Sequence, residues 1–267
     1  MNVREVVDRI IAACSDVPPL EKTCDLLITG DWESEVSGIV TTFMATVDVI
    51  RDAIAKKANL IITHEPTYFT HSDQTDWLQE DPVYRLKQTL IAENQINIWR
   101  FHDHMHFTQP DLIYVGLNQE LGWEAYSLPE EKHCYQIPPT TVQALSAFFK
   151  ERLGVEVIQI VGRQETTVER VGILVGGGSL GLGSDQMPME LMRDQNLDLV
   201  VCGEILEWTL AAYVRDASQL GLNKALIILG HNRSEEVGMK HLTAWLVPLL
   251  PGIPILFSEA GEPFTYL

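Results

Sequence analysis

At 267 residues, 46% of them hydrophobic and 21% charged, the chain can bury one large core or two modest ones, and no stretch is biased enough to be disordered. Nineteen basic against 37 acidic residues leave a formal charge of -18, which repels phosphate backbones and anionic membranes. The basic residues are scattered, with Lys56-Lys57 the only adjacent pair, so nucleic-acid binding is not expected. No apolar run approaches the roughly 20 residues of a membrane span, and Cys14, Cys24, Cys134 and Cys202 form no C-x-x-C pair, so the expectation is a reduced, soluble, cytoplasmic protein.

Val3, Val6, Val7, Ile10 and Ile11 fall on one face of an amphipathic first helix, not a signal peptide. A short strand, Cys24 to Thr29, breaks at Gly30-Asp31, and Ser37–Phe43 is a second strand. Thr46 caps a helix to about Ala58. A strand over Asn59–Thr63 runs into His64-Glu65, and a loop then reaches Asp81. Pro82 fits the first turn of a helix over roughly 82–95. The next strand, Ile96–Phe101, runs into His102, and a helix from about Asp111 to Leu121 closes a βαβαβα series. Residues 126–139, with Ser-Leu-Pro-Glu-Glu-Lys and Ile-Pro-Pro, read as a linker or inter-domain crossing.

The second half repeats this grammar. A helix over 140–152 leads to strands at 155–161 and 168–175, a glycine-rich loop at 176–183 and a helix near 187–195. The strand Leu197–Cys202 ends in Gly203-Glu204, a helix runs to about Leu220, and the strand Ala225–Gly230 ends in His231. A helix over 234–249 capped by Ser234 and a short strand over 253–258 finish the chain. Strands alternating with helices imply an α/β fold: two facing α/β domains, 1–126 and 127–267, with mixed, largely parallel sheets.

Four apolar strands therefore end in residues that bind metals, and in open α/β sheets ligands gather at that edge. His231 and Glu235 form an H-x-x-x-E pair that one ion can reach if a helix begins near 232, although Glu235 also complements a helix dipole there. His102, His104 and His106 alternate with Asp103 and Met105. In extended backbone this puts three imidazoles on one side, about 6–7 Å apart, where they bind metal or simply face solvent. His64 and Glu65 are adjacent, and Pro66 keeps Glu65 extended. Glu204 either caps a helix or serves as a base. The loop Gly176–Gly181 matches both G-x-G-x-x-G and G-x-S-x-G. Asp198 lies at the wrong end of its strand for the first, and Ser179 lacks the immediate helix of the second. A tight turn with close backbone approach is the plainer reading. Imidazole and carboxylate donors without thiolate point to divalent transition ions.

Taken in order, Val36–Val40 before Ala45-Thr46, Ala58–His64, Val175–Ser179, Cys202-Gly203-Glu204 and Gly230-His231 with Glu235 resemble the Nif-three-like dinuclear-metal family, the GTP cyclohydrolase I type 2 homologues. The resemblance spans nearly the whole chain. It implies two α/β domains with a metal site between them, two divalent transition-metal ions per subunit (Zn, Fe, Mn or Co), and assembly as a toroidal homohexamer. Carried over by position, the ligands are His64, Glu65, His106, His231 and Glu235, with Glu235 bridging; His102 and His104 are further candidates. The family's second histidine is Glu65 here, its ligand Asp becomes His106, its Asn becomes His104, and the Asp of its Asp-Ala-Thr is Met44. A histidine and a carboxylate are thus exchanged between motifs, which keeps charge and ligand count. The function implied is a metal-dependent hydrolase acting on a nucleotide-like or phosphoester substrate, with Glu204 or a spare histidine moving the proton. No residue pattern specifies GTP cyclohydrolase chemistry, and a non-catalytic metal-storing or scaffold toroid is the alternative.

Overall fold

The structure, a computed structural model, describes residues 1–18 and 20–267. In chain order the elements are α1 (Val3–Ala13), β1 (Leu27–Thr29), β2 (Ile39–Thr42), α2 (Val47–Ala55), β3 (Leu60–Thr63), α3 (Pro82–Glu93), β4 (Asn97–Arg100), α4 (Asp103–Phe107) and α5 (Leu112–Leu121). There follow β5 (Cys134–Thr141), α6 (Val142–Leu153), β6 (Gln159–Val161), β7 (Thr167–Leu174), α7 (Met187–Asp194), β8 (Leu199–Cys202), α8 (Ala212–Gln219), β9 (Ala225–Ile228), α9 (His231–Leu246) and β10 (Ile255–Phe257). Two compact units result: Met1–Gly116 with Gly238–Pro263, and Leu117–Val237 with Phe264–Leu267. The chain passes between them within α5 and again within α9. Among the described residues no helix is long and apolar enough to cross a membrane.

Each unit is built on a five-stranded sheet, so the α/β class with two largely parallel sheets is the observed one. In the first unit the order is β1-β4-β3-β2-β10, with all neighbours parallel except β1 against β4. Every residue of β2, β3 and β4 is buried, as a sheet covered on both faces requires. The helices begin where local chemistry favours it. Asn2 and Glu5 form a reciprocal capping box on α1, and the Thr46 hydroxyl accepts the Val49 N–H at 3.2 Å on α2. Asp81 accepts two N–H groups ahead of Pro82 on α3.

In the second unit the order is β5-β7-β8-β9-β6, with β5 and β6 antiparallel at the two edges. Residues 126–139 are thus not wholly a linker. From Cys134 the chain is a strand paired with β7, and its register shifts between Gln136 and Thr140 around Pro138 and Pro139. Prolines cannot donate to a ladder, and an edge strand with a bulge tolerates them. The strand expected over 155–161 contracts to its last three residues, and α9 begins at His231 rather than Ser234.

One buried cation stands out in the first unit. Lys87 on α3 is 6% exposed; its ammonium donates to the Thr67 carbonyl at 2.7 Å and lies 5.6 and 5.5 Å from the ring centroids of Tyr68 and Phe69. Burial pushes its pKa down to about 8 against the attraction of Asp73. Between the folded value and the ordinary 10.5 the unfolded chain binds the extra proton, so Lys87 makes stability rise with pH in that window. Cys14, Cys24 and Cys202, all pushed up to about 12 chiefly by desolvation, oppose it above pH 9. The stability difference between wild type and Lys87→Met cancels those thiols. It should rise by roughly 3 kcal/mol from about pH 7 to about pH 11 in urea titrations, and a flat difference would contradict the assignment.

Candidate metal centre

The ends of β3 and β4 lie side by side, Thr63 opposite Arg100, so His64 and the residues after Phe101 share one edge of the first sheet. The extended alternation expected over 102–106 does not occur. The chain turns into the single turn of α4, with His106 N–H donating to the His102 carbonyl at 3.0 Å. In a helical turn i and i+4 share a face and i+2 points away. His102 and His106 accordingly stand together, 4.9 Å between ring centroids, with His64 4.6 and 4.9 Å from them. His104 faces elsewhere, its Nδ1 2.6 Å from Asp25 Oδ2.

The hydrogen bonds of the three clustered rings orient them alike. His64 Nδ1 lies 3.2 Å from the Phe101 carbonyl, His102 Nδ1 2.9 Å from Asp103 Oδ1, and His106 Nδ1 3.0 Å from Asp111 Oδ2. A carbonyl or an ionised carboxylate only accepts, so each Nδ1 carries the hydrogen and donates it. That makes Nε2 the nitrogen each ring could offer to a metal, since an oxygen acceptor at the other nitrogen is the usual partner of a ligating imidazole. His64 and His106 bring their Nε2 atoms to 3.2 Å, and at most one of them carries a proton in that contact. One ligand atom from each of His64, His102 and His106 lies within 4.8 Å of the others. The His102 hydrogen bond, opposed by burial, also holds the Asp103 carboxyl well below the usual range.

Two residues that sequence reasoning passed over build this edge. Asp25, with its side chain 1% exposed, accepts the backbone N–H groups of His102, Asp103 and His104 at 2.6, 2.8 and 2.9 Å. It therefore caps α4 from 77 residues upstream. Arg100, 1% exposed, donates through Nε to the His64 carbonyl at 3.0 Å, through Nη1 to the His71 carbonyl at 2.5 Å and through Nη2 to Glu65 Oε2 at 3.1 Å. Glu65 is thereby charge-balanced, with its other oxygen 3.7 Å from His102 Nε2. The available signal was an arginine inside an otherwise buried strand. Asp111 serves two purposes: Oδ1 accepts the Ile113 N–H at 2.8 Å at the start of α5 while Oδ2 holds His106.

In the second unit, adjacent ends of β7, β8 and β9 place Gly176, Glu204 and His231 together. His231 lies between two carboxylates, with Nδ1 2.9 Å from Glu204 Oε1 and Nε2 3.0 Å from Glu235 Oε2 one turn along α9. Glu235 is buried and Glu204 half exposed. The glycine-rich loop gives its backbone to this site. Gly176 has φ +52°, and a methyl group there would fall 2.0 Å from Glu235 Oε1 and 2.8 Å from His231 Nε2. Its N–H donates to Ser234 Oγ at 2.9 Å, and its carbonyl accepts the Glu204 N–H at 2.8 Å. Ser179 is fully buried and its hydroxyl donates to the Glu204 carbonyl, an arrangement unlike an exposed nucleophile elbow.

A family model described as Duf34/NIF3 (NGG1p interacting factor 3) matches residues 22–263. Among curated relatives, a GTP cyclohydrolase 1 type 2 homolog of Clostridium acetobutylicum is 25% identical, covering 90% of this chain and 89% of its own length. The homolog of Vibrio cholerae is 26% identical, covering 86% of each. In fold, the chain is similar to a Bacillus cereus protein related to NIF3, with a TM-score of 0.77 at 15% identity over 100% of this chain and 99% of that one. A Staphylococcus aureus hypothetical protein gives a TM-score of 0.76 at 19% identity, with the same coverage. The family match runs through every motif that carries the His64, His106, His231 and Glu235 positions, and the chain belongs to the Duf34/NIF3 family.

Proposed function

We propose that this protein binds two divalent transition-metal ions and uses them to hydrolyse a nucleotide-like or phosphoester substrate. The ligands would be His64, His102 and His106, with Glu65 beside them, from the first unit, and His231 with Glu235 from the second. The observation that carries this reading is the convergence of three imidazoles whose Nδ1 atoms are each tied to an oxygen acceptor. With Glu65 already balanced by Arg100, the first set is chiefly neutral nitrogen, which suits Zn, Fe, Co or Mn better than Mg or Ca. His104, tied to Asp25, is not included.

Bound ions would supply Lewis acidity, acidifying water and polarising a phosphoryl or carbonyl oxygen. The protein's own groups do the rest. Phe101, Asp103 and Asp111 hold the three rings in one tautomer, and Glu204 orients His231 through Nδ1. Glu204 is also the half-exposed carboxylate able to take a proton from the reacting water. The name borne by the curated relatives makes nucleotides the first substrates to try. A cytoplasmic toroidal homohexamer is the assembly we propose, to be checked by light scattering against the 30.0 kDa chain.

Elemental analysis of untagged protein should give at least about two ions per chain, with one lost in His106→Ala and one in His231→Ala. Protein that refuses reloading with Zn²⁺, Mn²⁺, Fe²⁺ or Co²⁺ would sink the metal reading. Turnover of phosphodiester, cyclic-nucleotide or amide panels that disappears in His231→Ala supports the hydrolase. Full loading with no turnover favours the storage or scaffold alternative.

A further inference from the structure

The other nitrogen of His102 faces a second ligand set. Asp103 Oδ1 lies 2.9 Å from His102 Nδ1 and 3.3 Å from Cys24 Sγ, while Oδ2 is anchored by the Cys24 backbone N–H at 2.9 Å. One ligand atom from each of the three residues lies within 4.8 Å of the others, and among the described residues no other cysteine belongs to such a group. The carboxylate is thus held at one oxygen and presented at the other between a thiol and an imidazole. Sulfur, nitrogen and oxygen donors together suit a borderline-soft ion, and zinc bonds of about 2.0–2.3 Å need only a slight opening of these contacts.

We propose that Cys24, His102 Nδ1 and Asp103 form a thiolate-containing site for a divalent ion such as Zn²⁺, a third position beyond the two proposed above and joined to the His64 set by the His102 ring. Binding sends the Cys24 thiol proton to solvent and moves the His102 proton from Nδ1 to Nε2, with water completing the shell. When Nε2 also holds an ion, that second proton leaves and the ring bridges as imidazolate. The cation and the thiol proton compete for the same sulfur, so binding should weaken as the pH falls.

The test uses the full chain with Co²⁺ as the probe. Titration should produce a near-ultraviolet sulfur-to-cobalt charge-transfer band whose amplitude at saturation corresponds to one thiolate–cobalt bond per chain and which is bleached by Zn²⁺. The band should vanish in Cys24→Ser, which keeps a hydroxyl for Asp103, and should survive in His106→Ala. Cys24→Ser protein should still bind cobalt without the band; loss of that residual binding bears on the His64 set alone. A wild type with no band at saturation overturns the proposal, as does a band that survives Cys24→Ser. Disappearance in His106→Ala would assign the thiol to the His64 set and overturn a separate site.

Discussion

Replacing Arg100 with methionine should destabilise the first unit by about 3–5 kcal/mol, because removing one partner of a buried ion pair strands the other. Glu65 and Asp73, with side chains 12% and 4% exposed, would each lose the guanidinium at 3.1 and 3.9 Å. The carbonyls of His64 and His71 would lose their donors as well. Arg100→Lys should recover less than half of this, since one ammonium cannot reproduce a fork that serves His64, Glu65 and His71 at once. Thermal melts should show a fall of roughly 10 °C, together with weaker metal binding as the His64-Glu65 turn loosens. A shift below about 1 kcal/mol, the range of a surface pair, would show that the guanidinium is dispensable.

Gly176→Ala should act on the second ligand set while leaving the sheet beneath it intact. The left-handed backbone costs an alanine about 1–2 kcal/mol. The new methyl would also claim the space of Glu235 Oε1, 2.0 Å away, and press on His231 Nε2 at 2.8 Å. The side chains must yield, so metal affinity in His231 and Glu235 should fall at least 10–100-fold, the range seen when ligand support is lost. Gly177→Ala is the internal control: its φ is -83°, its methyl meets nothing within 4 Å, and it should be neutral. Equal metal titrations for the two variants would remove Gly176 from the site.

Much of this was legible because burial on both faces leaves continuous apolar runs. Leu60–Thr63, Leu199–Cys202 and Ala225–Ile228 are such strands, and His64, Glu204 and His231 follow within the next few residues. Caps such as Thr46 and the Pro82 start were equally local. What escaped depended on distant partners. The turn of α4, which separates His104 from His102 and His106, is imposed by Asp25, and a pattern of alternating histidines carries no trace of it. β5 was hidden by Pro138-Pro139, since composition cannot tell an edge strand with a bulge from a linker. The pairing of β10 with β2 joins segments at opposite ends of the chain and has no local signature.

The Asp25 cap also has a consequence for the order of assembly. A five-residue helix is too short to persist in water, since nucleation alone outweighs its few hydrogen bonds. Its turn therefore waits for a segment 77 residues earlier to dock, and that loop must close before the contact returns any stability. The convergence of the three imidazoles thus depends on the segment leading into β1, the strand paired with β4. A fragment of residues 26–121 would carry all three histidines and lack the Asp25 carboxylate that holds the start of α4. A metal titration of such a fragment should therefore lack whatever binding depends on His64 standing beside His102 and His106.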